Sequence, residues 1–342
     1  MDIIKVGVIG AGAIATKAHI PCFKNNKFVQ VEAVVDTDEK RARFVAKKFR
    51  IGNHFASLSE LVDSKVRVDA ISICTPPRFH AGIAIEALDV GINVLCEKPL
   101  AESVDSGNKM KEAVRSSHAI FMMGLNRRFN TNYQHTKHMA LNDSLGRIYA
   151  VQYASLQENP LVGWSKSDWF YSEIEGGCLR DQGPHVFDIL NWFLGKPLSV
   201  VANQFTNLHT KIDESAFATV KYESGAIGSG VMSWLSPQKV EKLEVLGTGR
   251  TIIASPGLIL KLSGGSLPEI ELFKAASPMF LSRFKGMFGM NKPSNYQLEI
   301  DHFVNCVKKG LRPFVTVQDG LSALALNEAA ARSIQENREI LL

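Results

Sequence analysis

Cysteine is scarce and scattered in this chain of 342 residues. Cys22, Cys74, Cys96, Cys178 and Cys306 are odd in number, and no two are spaced as a CxxC pair. A disulfide framework and the common zinc clusters are thereby disfavoured, and a reducing, cytoplasmic setting is expected. No uncharged apolar run approaches the ~18 residues of a membrane span, and no basic segment leads an apolar stretch at the start, so neither membrane insertion nor export is expected. Charge of one sign is also thin. Lys plus Arg number 39 against 34 Asp plus Glu, a net +5, too little to read as a nucleic-acid surface. Internal repeats and low-complexity tracts are missing as well. What remains, 45% apolar and 21% charged, is ordinary for a folded enzyme, and the length suits two domains better than one.

The first third is the most informative. Ile3 to Ile9 is a short β-branched run ending at Gly10, the pattern of a strand buried on both faces. Gly10-Ala11-Gly12-Ala13-Ile14-Ala15 follows, then a helix-compatible stretch from Thr16 to Phe23. Gly10 permits a tight turn, and Gly12 has no side chain to keep a pyrophosphate from the N–H groups at the helix start. A second apolar run, Val29 to Val35, ends at Asp36. A carboxylate there can accept hydrogen bonds from the adenosine ribose and would repel a 2′-phosphate, which favours NAD over NADP. The plainer reading is that Asp36 caps the helix beginning near Asp38, and Arg41 and Arg43 leave room for NADP. Strand and helix then alternate to Gly124, predicting a doubly wound parallel sheet whose ligand lies beyond the carboxyl ends of its strands. Thr75-Pro76-Pro77-Arg78-Phe79-His80 and Glu97-Lys98-Pro99 fall at those ends.

Together with Gly124-Leu125-Asn126-Arg127-Arg128-Phe129 and the stretch from Gly176 to Asp188, these motifs resemble those of the Gfo/Idh/MocA oxidoreductases, and the resemblance covers nearly the whole chain. It implies an N-terminal Rossmann domain, residues 1–124, that binds a dinucleotide. A C-terminal α+β domain, residues 125–342, would carry a large, mostly antiparallel open sheet. That sheet commonly serves oligomerisation, so a homodimer or homotetramer is expected. The implied activity is NAD(P)-dependent hydride transfer at a carbinol of a sugar, cyclitol or sugar derivative. Gly10, Gly12, Ala13, Ile14, Asp36, Arg41, Thr75, Pro76, His80, Glu97 and Lys98 are the expected cofactor contacts.

Hydride transfer leaves a hydroxyl proton to be removed, so a base near neutral pKa is needed. Lys98, after a strand at the switch-point end, is expected to have a lowered pKa beside the nicotinamide, and the family's lysine role carries over to it. Asp181 and His185 are the expected partners. A helix beginning near Pro184 would put His185 in its first turn, where the dipole disfavours imidazolium. Asp181 would precede that helix, as a substrate ligand or merely as a cap. Asp188 is expected to orient rather than react. Asn126, Arg127 and Trp169 are the remaining substrate candidates, with Trp164 and Tyr171 as possible stacking or core aromatics. His135 and His138, three apart, lack a nearby third ligand, and no metal site is expected.

Beyond Ala150 the alternation becomes β-like, at Tyr149 to Ser155, Ser215 to Tyr222, Ala226 to Trp234, Val240 to Leu246 and Arg250 to Ala254. Lys274 to Lys292 carries four basic residues and no acid, with six Met and Phe. It reads as an apolar docking loop, or as a flap that receives an anionic substrate. Two other functions compete: a glycosidase using tightly held NAD, and a non-catalytic NAD sensor, which would not need Lys98, Asp181 and His185 together.

Overall fold

A computed structural model describes residues 3–142, 145–160, 168–172, 176–206, 211–263 and 293–342. The chain forms two compact units, residues 1–126 with 293–324, and residues 127–292 with 325–342. A division was expected after residue 124. The return of residues 293–324 to the first unit was not, because an amphipathic helix in a sequence does not name the surface that will cover it.

The first unit is built on six parallel strands, β1 (Ile4–Ile9), β2 (Val29–Val35), β3 (Asn53–Phe55), β4 (Ala70–Ile73), β5 (Asn93–Glu97) and β6 (Phe121–Gly124), ordered β3-β2-β1-β4-β5-β6. Every residue of β4 and β6 is buried, as an apolar strand covered on both faces must be. The strand order reverses between β1 and β4, which opens a crevice at their carboxyl ends. A π-type turn, Ala15–His19, leads into α1 (Ile20–Asn25). Helix α2 (Glu39–Phe49) starts from the Asp38 side chain, which accepts the Arg41 N–H, and buries Ala42, Val45 and Ala46. Helices α3 (Leu58–Asp63), α4 (His80–Asp89) and α5 (Val104–Ser116) complete the crossovers. Later in the chain α8 (Asn295–Lys309) packs on α1, tied by Asn25 Nδ2 to Gln297 Oε1 at 3.1 Å and Asn26 Nδ2 to Asp301 Oδ1 at 2.7 Å.

The second unit contains α6 (Thr131–Asn142), α7 (Cys178–Leu194) and an eight-stranded sheet. Its strands are β7 (Ile148–Leu156), β8 (Pro197–Phe205), β9 (Ser215–Tyr222), β10 (Ile227–Ser233), β11 (Val240–Gly247), β12 (Arg250–Ser255), β13 (Leu258–Ser263) and β14 (Ile340–Leu341). The order is β13-β12-β11-β7-β10-β9-β8-β14, and only the β7–β10 pairing is parallel. On β9, Ala216, Ala218, Val220 and Tyr222 point inward, where α7 supplies Val186, Phe187 and Leu190 to the same core. Phe217 on β9, Val201 on β8 and Ile227 on β10 point the other way and are exposed. Among the described residues, no helix is long and apolar enough to cross a membrane.

Candidate functional site

The dinucleotide loop occupies the switch point. Gly10 has φ +94°, and a Cβ there would lie 2.7 Å from the Cys74 carbonyl oxygen, so only glycine lets the β1 and β4 loops meet. At Gly12 an added Cβ would meet nothing within 4 Å. Ala13 and Ile14 open the helical segment, and Thr16 N–H and Oγ1 both donate to the Gly12 carbonyl. Asp36 closes the loop from β2. Its Oδ2 accepts the Ala11 N–H at 2.8 Å and its Oδ1 the Asp38 N–H at 2.9 Å, and Arg41 grips both oxygens through Nε and Nη2. Burial opposes its charge, but the Arg41 guanidinium and these two amides outweigh it and hold the carboxyl below its usual range. Asp38, not Asp36, caps α2.

The Thr75–His80 stretch is bound to the Glu97-Lys98-Pro99 turn by His80. That ring is fully buried, with Nδ1 2.8 Å from the Pro99 carbonyl and Nε2 2.9 Å from the Thr75 carbonyl. Burial lowers its pKa against the pull of those carbonyls. Thus His80 bridges the two loops, and as a neutral ring its single N–H donates to one of the two carbonyls. The Thr75 hydroxyl, by contrast, is buried without a hydrogen-bond partner, and Pro76 is half-buried beside it.

Glu97 ends β5 with its side chain 6% exposed. Its Oε2 accepts the Lys98 backbone N–H at 3.1 Å, and its Oε1 lies 2.8 Å from His19 Nε2. The other nitrogen of His19 is 2.8 Å from Ser72 Oγ. Burial works against a charged His19, yet Cys74 and Glu97 prevail and push its pKa well above the usual imidazole value. Glu97 is therefore a buried ion-pair partner that also fixes the backbone entering Lys98. Asn126 is buried in the turn Asn126–Phe129 that follows β6.

In the second unit, α7 begins at Cys178 and carries Pro184 inside it, which corrects the expected start near Pro184. The helix starts early because its end is capped from outside: Asp213 accepts Leu179 N–H at 2.6 Å on its carboxylate and Cys178 N–H on its carbonyl, and Gly177, at φ +107°, turns the chain in. Burial, only partly countered by the Leu179 amide, pushes the Asp213 carboxyl up to about 6. Asp181 consequently sits in the first turn of α7 and His185 lies a turn deeper, where the end-of-helix dipole has faded. The dipole argument for a neutral His185 falls with the helix start.

Asp181 and His185, both buried, are one turn apart on one helix. Asp181 Oδ2 accepts Gln182 Nε2 at 2.5 Å and faces Trp234 Nε1 at 3.4 Å. The carbonyl oxygen of Gln182 in turn accepts Arg127 Nη2 and Ser155 Oγ, each at 2.8 Å. Arg127 is buried and also donates to Tyr153 Oη at 3.0 Å, with Glu241 3.7 Å away. Its guanidinium, expected as a substrate contact, braces Gln182, which donates to Asp181. Asp188 forms a buried ion pair with Arg128, whose Nε is 3.0 Å from both oxygens, consistent with an orienting role. Tyr171 packs against Trp234 with ring centroids 5.7 Å apart. The backbone of Trp169 lies in the 3₁₀ turn Asp168–Tyr171, while its side chain, Trp164 and the basic segment 274–292 lie outside the described residues.

Sequence reasoning missed His19, Ser72, Gln182, Trp234, Asp213 and Glu299. His19 had the one readable signal, a polar residue inside an apolar helical stretch. The others carry no local signal of the distant partners they meet.

Comparison with known proteins shows the family. Residues 4–125 match the family model described as "Oxidoreductase family, NAD-binding Rossmann fold", and residues 133–253 match the GFO/IDH/MocA C-terminal domain. The chain is 26% identical to the myo-inositol 2-dehydrogenase of Thermotoga maritima, covering 99% of this chain and 98% of that protein. It is 27% identical to the D-glucoside 3-dehydrogenase of Escherichia coli over 66% and 68% of the two. The WlbA dehydrogenase of Bordetella pertussis, solved with NADH and UDP-GlcNAcA, superposes with a TM-score of 0.84 at 23% identity, covering 100% of this chain and 98% of that one.

Proposed function

Because the chain belongs to the Gfo/Idh/MocA oxidoreductase family, we propose that it transfers hydride between a nicotinamide cofactor and a secondary carbinol of a sugar, cyclitol or sugar derivative. The observation that carries this reading is Gly12, open to 4 Å around its missing Cβ at the turn between β1 and its helix. The buried, unpartnered Thr75 hydroxyl supports it. These residues fit a dinucleotide, with Gly10 to Ile14 under the pyrophosphate and Thr75 and Pro76 along its course. His80 and Glu97 brace the loops that would hold it. NAD is the cofactor favoured over NADP, since the Asp36 carboxylate is ionised and held toward the loop by Ala11. When bound, the nicotinamide supplies the hydride acceptor. Lys98 takes the hydroxyl proton as the carbinol becomes a carbonyl, and returns it in the opposite direction. Asp181 binds substrate hydroxyls in an orientation set by Gln182 and Trp234, and His185 shares the proton or a hydroxyl contact. Asn126, Arg127 and Trp169 are the further candidates for substrate contact.

The relatives are dehydrogenases rather than glycosidases or sensors, so those alternatives are not favoured. Free cysteines suit a cytoplasmic location. A homo-oligomer joined through the outer sheet face would cover Val201, Phe217 and Ile227. The functional reading is tested by screening NAD and NADP reduction across polyols, aldoses and sugar nucleotides with wild type and Lys98→Ala. Lys98→Ala is expected to abolish turnover while NAD affinity stays within a few-fold, and retained turnover refutes the assignment.

A further inference from the structure

Behind the Lys98 turn, the first unit holds a charge arrangement that the proposed reaction does not use. Glu299, on α8, is fully buried, and neither of its carboxyl oxygens has a hydrogen-bond partner. One ligand-type atom from each of His19, Glu97 and Glu299 lies within 4.8 Å of the others. Three elements thus converge: the π-type turn before α1, the end of β5 and the second turn of α8. His19 is already committed, with Nε2 on Glu97 and Nδ1 on Ser72. One imidazolium balances one carboxylate, so a second buried carboxylate would stand uncompensated.

A divalent cation among the three would also balance the charge, but the geometry argues against it. At 2.8 Å, His19 Nε2 and Glu97 Oε1 have the separation of a direct hydrogen bond with a proton between them. His19 and Glu299 are 0% exposed and Glu97 6%, so the three side chains are shielded from the solvent that would deliver an ion. A proton on Glu299 achieves the same balance.

We propose that Glu299, held as the neutral acid, is a positioning residue for Lys98, keeping His19 paired with Glu97 and thereby fixing the backbone that enters the Lys98 turn. The inference rests on Lys98 being the reacting amine. Its physical content is a competition. An ionised Glu299 would draw the His19 imidazolium away from Glu97, and the Glu97 carboxylate is what accepts the Lys98 N–H. The titratable groups facing this cluster are His19 and Cys22 from the segment around α1, Cys74 after β4, His80 at the start of α4, Cys96 and Glu97 on β5, and Tyr296 and Asp301 on α8 itself. Burial and the Glu97 charge both push the Glu299 pKa upward, opposed by His19, and the net direction is well above the usual carboxyl value.

The stability consequence has a definite sign. The unfolded chain releases this proton in the ordinary carboxyl range, whereas the folded chain keeps it to higher pH. Stability is therefore lost as pH rises from the unfolded pKa through the folded one. Gln at this position is a permanent neutral mimic and lacks that loss.

The test uses full-length wild type, Glu299→Gln, Glu299→Ala and Lys98→Ala. Urea unfolding is followed from about pH 4 to about pH 9 without ligands, and kcat and KM are followed over the alkaline range. Glu299→Gln is expected to match wild-type kcat near neutrality. It should gain stability over wild type progressively as pH rises, and keep its kcat at the pH where wild type loses stability. Glu299→Ala is expected to lose about ten- to a hundred-fold in kcat with the KM for NAD little changed, so that Gln rescues what Ala removes. If Ala prevents folding, the two pH comparisons with Gln still decide. A pH-independent stability difference, a Gln variant as damaged as Ala, or a stoichiometric divalent metal that wild type holds and Gln loses would each overturn the proposal. Retained turnover in Lys98→Ala means the assignment of Lys98 has failed. An inactive Lys98→Ala beside unaffected Glu299 variants means that only the positioning role has failed.

Discussion

Substituting alanine at Gly12 and at Gly10 should separate what the nucleotide loop does for the ligand from what it does for the fold. At Gly12 the backbone is outside the positive-φ region, and a new Cβ meets nothing within 4 Å. Gly12→Ala should therefore fold normally and gain about 0.4–1 kcal/mol, because alanine restricts the unfolded chain. That same methyl would stand where a pyrophosphate needs to approach the backbone N–H groups. Losing one charge-assisted hydrogen bond costs about 1.5–3 kcal/mol, which corresponds to a rise in Kd for NAD of about 10- to 150-fold. At Gly10 the effects reverse in kind. A Cβ at φ +94° would press on the Cys74 carbonyl at 2.7 Å, where only backbone can give way. The strain alone is about 1–3 kcal/mol, and displacement of the β4 loop adds to it, so Gly10→Ala should unfold at visibly lower urea. Urea unfolding without ligand and calorimetric titration with NAD measure the two quantities on the same samples. If Gly12→Ala bound NAD as well as wild type, the glycine would be only a turn residue, and the placement of the pyrophosphate would be wrong.

Three other expectations are independent of this one. Asp188→Asn leaves the buried Arg128 guanidinium without its carboxylate and should cost about 3–5 kcal/mol in urea unfolding, with Arg128→Met/Asp188→Leu recovering most of it. A single-variant cost under about 1 kcal/mol would show that the pair is not the buried unit described. Asp213, pushed up to about 6 by burial, keeps its proton in the folded state after the unfolded chain has lost it. Stability relative to Asp213→Asn should thus fall between about pH 4 and about pH 6, by up to about 3 kcal/mol, then level off; parallel urea curves across that window would contradict the shift. Asp36→Ser removes the carboxylate proposed to face the ribose and releases Arg41. The ratio of NADP to NAD affinity should rise, and an unchanged ratio in binding titrations would remove Asp36 from cofactor choice.

The parts of the site that could be read in sequence are those fixed by neighbours along the chain. The Ile3–Ile9 run, the two glycines and Asp36 at the end of the next strand obey constraints acting over a few residues: side-chain alternation, φ sign and loop length. The same holds for the alternation of β9, which announced its inward and outward faces. Where the governing contact came from far away, local signals misled. Pro184 looked like the first residue of a helix, because proline is comfortable there. The capping group that moved the start back to Cys178 is Asp213, in the loop before β9. Local order likewise held no hint that Tyr153 and Gln182 would pair with Arg127.

By itself, then, the chain's order of residues determined a nucleotide-binding first unit, a sheet-rich second unit and the candidacy of Lys98, Asp181 and His185. Folding alone decided that residues 293–324 return to the first unit. Their return brings Glu299 behind Glu97 and His19. The physical reason is that burial is non-directional: an apolar helix face requires cover without naming it, and the charges carried in on that helix acquire their protonation and partners only from the surface it finds.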